Sequence, residues 1–397
     1  MNVALVITTT GTRASLLDRA IKSALAQKYQ FSEIMVVNDG AVPVENLPKD
    51  IRIVKTKTYE GLPAARKLGV SKLSRDVDAV CYLDDDDELL PEHVSSLLVP
   101  IESGAKFAFS RAVFRYPDMT ETEDPEPSNK GHKRYYDPNA LLEQNIAPVS
   151  SFMHTIQAYD EIGGWDKTLI RMEDWDFWAR MYIRFGPPIL VNKVTNVIYK
   201  QTAGNLTDSN PFSYSMACSW RDIVSDRLKY LRSHDSCRVT DELLTKFHIP
   251  RTGIILPVNQ DSLWIDNFLS TLRIQSFKDW EVIITDYGSG GMPWGIQAHL
   301  SDPRIRIFLT PSSSKSLLDA QNFALLVSRS EYLAFKTPMS IPDHVEYLEN
   351  HRDVMGVGKG SPVMIRRRAV EIAGGYDTDE AQFWTKISSR FKTVERL

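Results

Sequence analysis

Two groups of carboxylates are the residues best placed to do chemistry. The first is a run of four, Asp84 to Asp87, directly after the apolar stretch "DAVCYL". Like charges this close repel one another, and they become tolerable when a divalent cation sits among them; hard oxygen ligands suit Mg²⁺ or Mn²⁺. Such a cation can neutralise a diphosphate and help it leave. The run also fits a solvated acidic loop ahead of the helix that begins near Pro91, and the four residues alone do not decide between the two. The second group is Glu173 and Asp174 in "RMEDWDFWARMYIRFG", residues 171 to 186. In the first turn of a helix the dipole favours their ionised form. A carboxylate held ionised there could take a proton from a hydroxyl nucleophile. Simple N-terminal capping is the other use of the same pair.

The elements that must position these groups follow from periodicity. "VALVI" reads as a short buried strand and "TTTGTR" as a polar turn. In "ASLLDRAIKSALAQ", Leu16, Leu17, Ala20, Ile21, Ala24 and Leu25 fall at helical spacing, and "EIMVVNDG" is a second strand ending in turn residues. Strands alternating with helices imply a mostly parallel sheet, whose ligands sit beyond the carboxyl ends of the strands. "DAVCYL" has the continuous apolar character of a central parallel strand, so its four aspartates fall over that crevice. Trp175, Trp178, Tyr182 and Phe185 share one face of the later helix and read as core. "YPDMTETEDPEPSNKGHKRYYDP", Pro-rich and charged, reads as a long mobile surface loop.

Composition bounds the class. The chain has 397 residues, 43% hydrophobic and 25% charged, with a formal net charge of -4. That is ordinary for a globular protein and long enough for two domains with full cores. The strongly basic domain expected of a nucleic-acid binder is missing; the tight run Arg366 to Arg368 reads as a solvated helix face. Cys81, Cys218 and Cys237 make neither a disulfide framework nor a paired metal spacing, which points to a reducing compartment. "MNVALVITTT" lacks the charged start of a signal peptide. No apolar run approaches the ~20 residues needed to span a bilayer. The expectation is a cytoplasmic chain without an integral membrane segment.

The chain also repeats itself. "GIILPVNQDSLWIDNFLSTLRIQSFKDWEVIITDYGSGG" restates strand, loop, helix, strand and glycine turn. Glu33 pairs with Glu281, "LPEHV" around His93 with "IPDHV" around His344, and "EIGGWD" around Gly163 with "IAGGYD" around Gly374. The spacing between partners holds over roughly 90 residues and then shortens by about 40, as expected of a duplication with a deletion in the second copy near the counterpart of residues 110 to 150. The domains read as 1–210, a helical linker over 211–250, and a second copy over 251–397.

Taken together and in order, "VVNDG", "PAARKLG", "YLDDDDELLPEHV", "GGWD" and "MEDWDFW" resemble family 2 glycosyltransferases of the GT-A fold, over residues 1 to 210. The resemblance implies an α/β GT-A fold, here in two tandem copies. It implies a metal-dependent, inverting transferase that moves a sugar from a nucleotide-sugar donor, a UDP-sugar by family frequency, to a hydroxyl of an acceptor such as a glycan. Thr8, Thr9, Thr10, Arg13 and Asp39 match positions that hold the base and ribose, and Arg66 matches a nucleotide-site position. Asp84 and Asp86 match the ends of the DxD motif, Asp86 on the Mn²⁺ or Mg²⁺ side, with Asp85 between them in the same nucleotide-sugar site. Asp174 matches the general base and Glu173 its acidic partner. The "Y-R-x-H" histidine common in the family is replaced in "YKQTAGN" by Thr202. "VITTTGTR" also faintly resembles the "GGxGTR" loop of sugar-phosphate nucleotidylyltransferases, but that reading leaves "EDWDFW" without a role.

The second copy has Tyr287 where the first has Asp39, and "KTPMS", Lys336 to Ser340, in place of "LDDDD". "EDWDFW" becomes "DEAQFW", which keeps Asp379, Glu380, Phe383 and Trp384. A copy that keeps its core and loses these aspartates is expected to be degenerate and non-catalytic, serving acceptor recognition, packing or homo-oligomerisation. A non-catalytic nucleotide-sugar or glycan binder would need the first copy degraded as well.

Overall fold

β1 (Val3–Thr9) is buried at every position, which suits the middle of a sheet covered on both faces. A polar turn leads into α1 (Ala14–Leu25), which buries Leu17, Ala20, Ile21 and Ala24 at helical spacing. β2 (Glu33–Asn38) returns parallel to β1, and β3 (Ile51–Lys55) lies outside it. α2 (Leu62–Ser71) crosses back to β4 (Ala79–Asp84), which takes the other side of β1 with Asp84 opposite Thr8. Gly69 lets α2 lie flush on the sheet: a Cβ there would fall 2.5 Å from Val6 Cγ1 and 2.9 Å from Val37 Cγ2. The computed structural model describes residues 1–200 except 41, 46, 57–59, 124–133 and 170, and then 211–258, 263–274, 278–286, 296, 299, 301–309, 317–328, 330–334, 354–357, 364–366 and 392–394.

β5 (Glu88–Leu89), α3 (His93–Glu102), β6 (Phe107–Arg115), β7 (Glu121–Thr122), β8 (Phe152–Thr155), α4 (Ile156–Glu161), α5 (Glu173–Phe185) and β9 (Ile189–Tyr199) complete the first sheet. Its order is β3-β2-β1-β4-β8-β6-β9-β5, with β7 on β6. The first four strands are parallel, and β8 runs antiparallel to both β4 and β6. This is the mixed α/β, mostly parallel architecture expected. α5 buries Trp175, Phe177, Trp178 and Met181, while Tyr182 and Phe185 are only half-buried. The long loop expected after Tyr116 is in part ordered by pairing. The chain turns at Met119 so that Phe114 faces Thr122, and the Tyr136 hydroxyl bonds both the N–H and the C=O of Ala112.

α6 (Pro211–Ser233) and α7 (Asp241–Lys246) follow. The chain divides into two compact units: Met1–Thr202 with Arg221–Phe247, and Ala203–Trp220 with His248–Leu397. Of the stretch read as a linker, residues 221–247 thus group with the first unit. One tie is a buried ionic cluster in which the Arg227 guanidinium pairs with Asp166 of "GGWD". Its Nε lies 3.7 Å from Asp176 Oδ1, and Arg180 bonds Asp176 Oδ2 at 2.7 Å. All four side chains are at most 1% exposed.

The second unit holds β10 (Thr252–Val258), α8 (Leu263–Ile274), β11 (Trp280–Asp286), β12 (Ile305–Leu309), α9 (Leu317–Val327), β13 (Tyr332–Ala334), β14 (Val354–Val357), β15 (Met364–Arg366) and β16 (Lys392–Val394). Its described strands are ordered β12-β11-β10-β13-β15-β14-β16. Arg366, expected on a helix face, instead ends a strand opposite Tyr332. Among the described residues no helix is long and apolar enough to cross a membrane.

Candidate active site

β4 delivers its aspartates where the parallel strands end, and the four separate into two kinds. Asp85 is turned inward: its side chain is 1% exposed, accepts from Thr9 Oγ1 at 2.6 Å and pairs with Arg13. Asp87 is also buried and accepts from the backbone N–H of Tyr199 at 3.1 Å, tying the turn to β9. Asp84 and Asp86 are partly exposed, with side chains 31% and 15% accessible. Thr8 Oγ1 donates to Asp84 at 3.2 Å, and Arg13 bonds Asp86 at 2.5 Å. Burial pushes Asp85 up to about 6 against the pull of Arg13, and raises Asp86 and Asp87 as well. Turns at both parallel strand ends are packed too tightly for a side chain: a Cβ at Gly40 would meet Thr10 O at 1.8 Å.

The second carboxylate pair stands at the first two positions of α5, as its sequence implied. Met172, the residue before it, adopts a left-handed conformation (φ 56°), which is uncommon outside glycine and sets the helix start. Arg66, 3% exposed, joins the two groups: Nη2 bonds Asp84 at 3.0 Å and Nη1 bonds Glu173 at 2.8 Å. Asp174 Oδ1 accepts from its neighbour's N–H at 2.8 Å, and Oδ2 accepts from Asn145 Nδ2 at 2.7 Å. Burial, with Asp174 alongside, lifts Glu173 to about 7 in spite of Arg66; burial raises Asp174 too.

Several expected nucleotide-site residues are engaged in holding the site together. Asp39 is buried and accepts from Thr56 Oγ1 at 2.7 Å and from the N–H groups of Glu60 and Gly61 at 2.9 and 2.7 Å, which braces the loop into α2. Arg66 is wedged between carboxylates. Thr10, by contrast, is at the surface, its hydroxyl 2.9 Å from that of Thr12. Thr202, Tyr287, Lys336 to Ser340, Asp379, Glu380, Phe383 and Trp384 lie outside the described residues. Sequence reasoning missed Asn145 and Arg19, whose guanidinium bonds the Asp86 carbonyl at 2.5 Å and Glu88 at 3.0 Å. Asn145 follows a Pro-rich stretch with no periodicity; the i+4 spacing of Arg19 from Ser15 or Ser23 says nothing about a partner so far along the chain.

A family model described as "Glycosyl transferase family 2" matches residues 5–159. An uncharacterized glycosyltransferase of Bacillus subtilis (strain 168), YwdF, is 30% identical over 186 residues, which cover 45% of this chain and 68% of that protein. The chain belongs to glycosyl transferase family 2. The matched region of this family 2 chain runs from β1 through the aspartate run and stops before Glu173. An uncharacterized glycosyltransferase of Rickettsia felis is 23% identical over 370 residues, 81% of this chain, and the chain spans 58% of that relative's length. Among solved structures, Staphylococcus aureus TarS 1-349 in complex with UDP-GlcNAc is similar over 62% of this chain and 71% of that one, at 12% identity and a TM-score of 0.44.

Proposed function

We propose that the first unit is a metal-dependent inverting glycosyltransferase that moves a sugar from a nucleotide-sugar donor, a UDP-sugar, to a hydroxyl of a glycan. The observation that carries this reading is the Arg66 bridge. It joins Asp84, at the strand end where such sheets take ligands, to Glu173 beside Asp174. Donor-side and acceptor-side carboxylates therefore share one site.

In this reading the acceptor hydroxyl gives its proton to Asp174 as its oxygen bonds to the anomeric carbon. The carbon–oxygen bond to the nucleoside diphosphate breaks on the opposite face, and the leaving group departs with the electron pair. The transition state has oxocarbenium character. A base raised by burial but held ionised by donors and a helix N-terminus is suited to a proton transfer near neutral pH. Glu173 faces Arg66 and so positions rather than reacts. Arg13 and Thr8 orient Asp86 and Asp84.

The donor set fits Mn²⁺ or Mg²⁺: hard ions of this kind are commonly held by one or two carboxylates completed by phosphate oxygens and water. Asp86, with Asp84 two residues before it on the same turn, offers that number. Among the described residues no group of three His, Cys, Asp or Glu is placed to hold an ion; phosphate oxygens of the donor and water would supply the remaining ligands. When bound, the metal would neutralise charge on the leaving diphosphate. The second unit is, in the same proposal, a degenerate copy that serves acceptor recognition or self-association.

The test is UDP release from UDP-glucose, UDP-galactose and UDP-N-acetylglucosamine with Mn²⁺, with and without oligosaccharide acceptors. Asp174→Ala keeps Mn²⁺-dependent stabilisation by UDP and loses transfer by at least ~10²-fold. Asp86→Ala loses the stabilisation itself. Unchanged transfer in the first variant removes Asp174 as the base; unchanged metal dependence in the second removes Asp86 from the metal.

A further inference from the structure

We infer that Asn145 is a positioning residue for Asp174, its amide holding the carboxylate ionised and aimed at the acceptor; the inference rests on Asp174 being the base. Asn145 Nδ2 lies 2.7 Å from Asp174 Oδ2, while the Trp175 N–H occupies Oδ1 at 2.8 Å. Each oxygen thus has one donor, and the planar carboxylate cannot turn out of this orientation about its Cβ–Cγ bond without losing both. The orientation of the amide is fixed by chemistry, because the flipped form would set Asn145 Oδ1 against a carboxylate oxygen.

Asn145 Oδ1 is itself buried and has no hydrogen-bond partner among the described residues. Buried polar atoms are seldom left that way. An amide retained at a site that satisfies only its NH₂ half is there for what the NH₂ touches. The groups facing Asp174 are Arg66 from α2, Asp84 from β4 and Glu173 from its own helix. The Arg66 nitrogens bond Asp84 and Glu173, which leaves Asn145 as the side chain bonded to Asp174 among the described residues.

The segment carrying Asn145 is pinned to the same helix start. Trp175 Nε1 donates to the Leu141 carbonyl at 2.7 Å, the Tyr136 N–H donates to the Ile146 carbonyl at 2.9 Å, and Ile146 and Ala147 are fully buried. Residues 174 and 175 thus each hold one point of residues 141–145. The sequence comparison points the same way. Between the "LPEHV" and "GGWD" pairs the second half of the chain is shorter by about 40 residues, and the counterpart of Leu141 and Asn145 falls in that loss. The half that lacks the DxD aspartates also lacks the segment that steadies the base.

The experiment follows the aspartate side-chain carboxyl signals of the full chain by ¹³C NMR against pH, with the Asp174 signal assigned by its loss in Asp174→Asn. A hydrogen bond to the ionised form lowers a carboxyl pKa, so removing it moves the midpoint to higher pH. Asn145→Ala is expected to raise the Asp174 midpoint by about half to one unit, and Asn145→Asp, which keeps the shape and adds a second acid, by more. Asn145→Asp also carries the test if the alanine variant does not fold. An unmoved midpoint in the folded variant overturns the inference. The base assignment is tested apart from it: if Asp174→Asn keeps UDP-sugar turnover with Mn²⁺, the role falls even where the midpoint moves.

Discussion

The two sheets share a plan and differ where chemistry would be done. In each, four parallel strands lead to one that runs antiparallel to both its neighbours, and the next two are parallel to each other: β8, β6 and β9 in the first, β15, β14 and β16 in the second. A glutamate–arginine ion pair recurs as well. Glu33 accepts from Arg52 and from the Ser74 N–H; Glu281 accepts from Arg306 and from the hydroxyls of Ser328 and Ser330. Each arginine stands opposite the residue two beyond the glutamate, Arg52 against Met35 and Arg306 against Ile283. The register then fixes equivalent positions. Ala4 faces Glu33 and Val80, and Gly253 faces Glu281 and Leu333, so counting along the sequence from Val80 and from Leu333 pairs "DDDD", 84–87, with "TPMS", 337–340. Core, register and one ion pair are common to both sheets; four carboxylates are not. Nothing in this strand arrangement requires the aspartates, which is what a functional reading of them demands.

The comparison breaks first if the part of α6 from Arg221 onward does not belong to the first unit. Arg227 is buried against Asp166 and Asp176, and removing one partner of a buried pair strands the other charge. Arg227→Ala is expected to cost about 3–5 kcal/mol. Calorimetry of the full chain should show the loss in one transition, with the other unmoved; a loss in both would mean that the units do not melt independently. Next in size is Asp86→Met, which installs the residue found at the matching position of the second copy's sequence, where "KTPMS" stands for "LDDDD". It should reduce UDP-sugar turnover by about 10²–10³-fold, the usual cost of removing one group that stabilises developing charge. The melting temperature should hold. A folded variant with full turnover would end the claim that the difference between the sheets is functional.

What was legible in the sequence were the features set by short-range pattern. Buried strands, the helix start at Glu173 and the place of the aspartates all follow from periodicity and from where apolar runs stop. What the sequence concealed were partners distant in the chain. Arg66 is legible only as a nucleotide-site position; its carboxylate partners Asp84 and Glu173 emerge once Gly69 lets α2 lie on the sheet. Asn145 sits in a stretch without period, and its use depends on Leu141 being bonded by Trp175. Arg227 lies 61 residues from Asp166, in a helix whose pattern says only that one face is apolar. Four adjacent aspartates look alike in sequence; the pleat and the turn after Asp84 decide that 85 and 87 are buried while 84 and 86 stay partly exposed.

The smallest expected effect concerns the shared ion pair, and its asymmetry is informative. Glu281 is 2% exposed at the side chain and satisfied by one arginine and two hydroxyls, whereas the Arg52 side chain that pairs with Glu33 is 50% exposed. Solvent screens the first-sheet pair, and its loss leaves less unpaired behind. Glu281→Ala is expected to destabilise the second unit by about 2 kcal/mol, because Arg306 and two serine hydroxyls lose a charged partner. Glu33→Ala should cost the first unit about 1 kcal/mol or less. Neither should change Mn²⁺-dependent UDP binding, since neither glutamate lies at the carboxyl end of its strand. Urea titrations of both variants, with UDP binding measured on each, check the order. If Glu33→Ala weakened UDP binding as strongly as Asp86→Ala, the pair would be part of the site and the division between shared scaffold and private chemistry would fail.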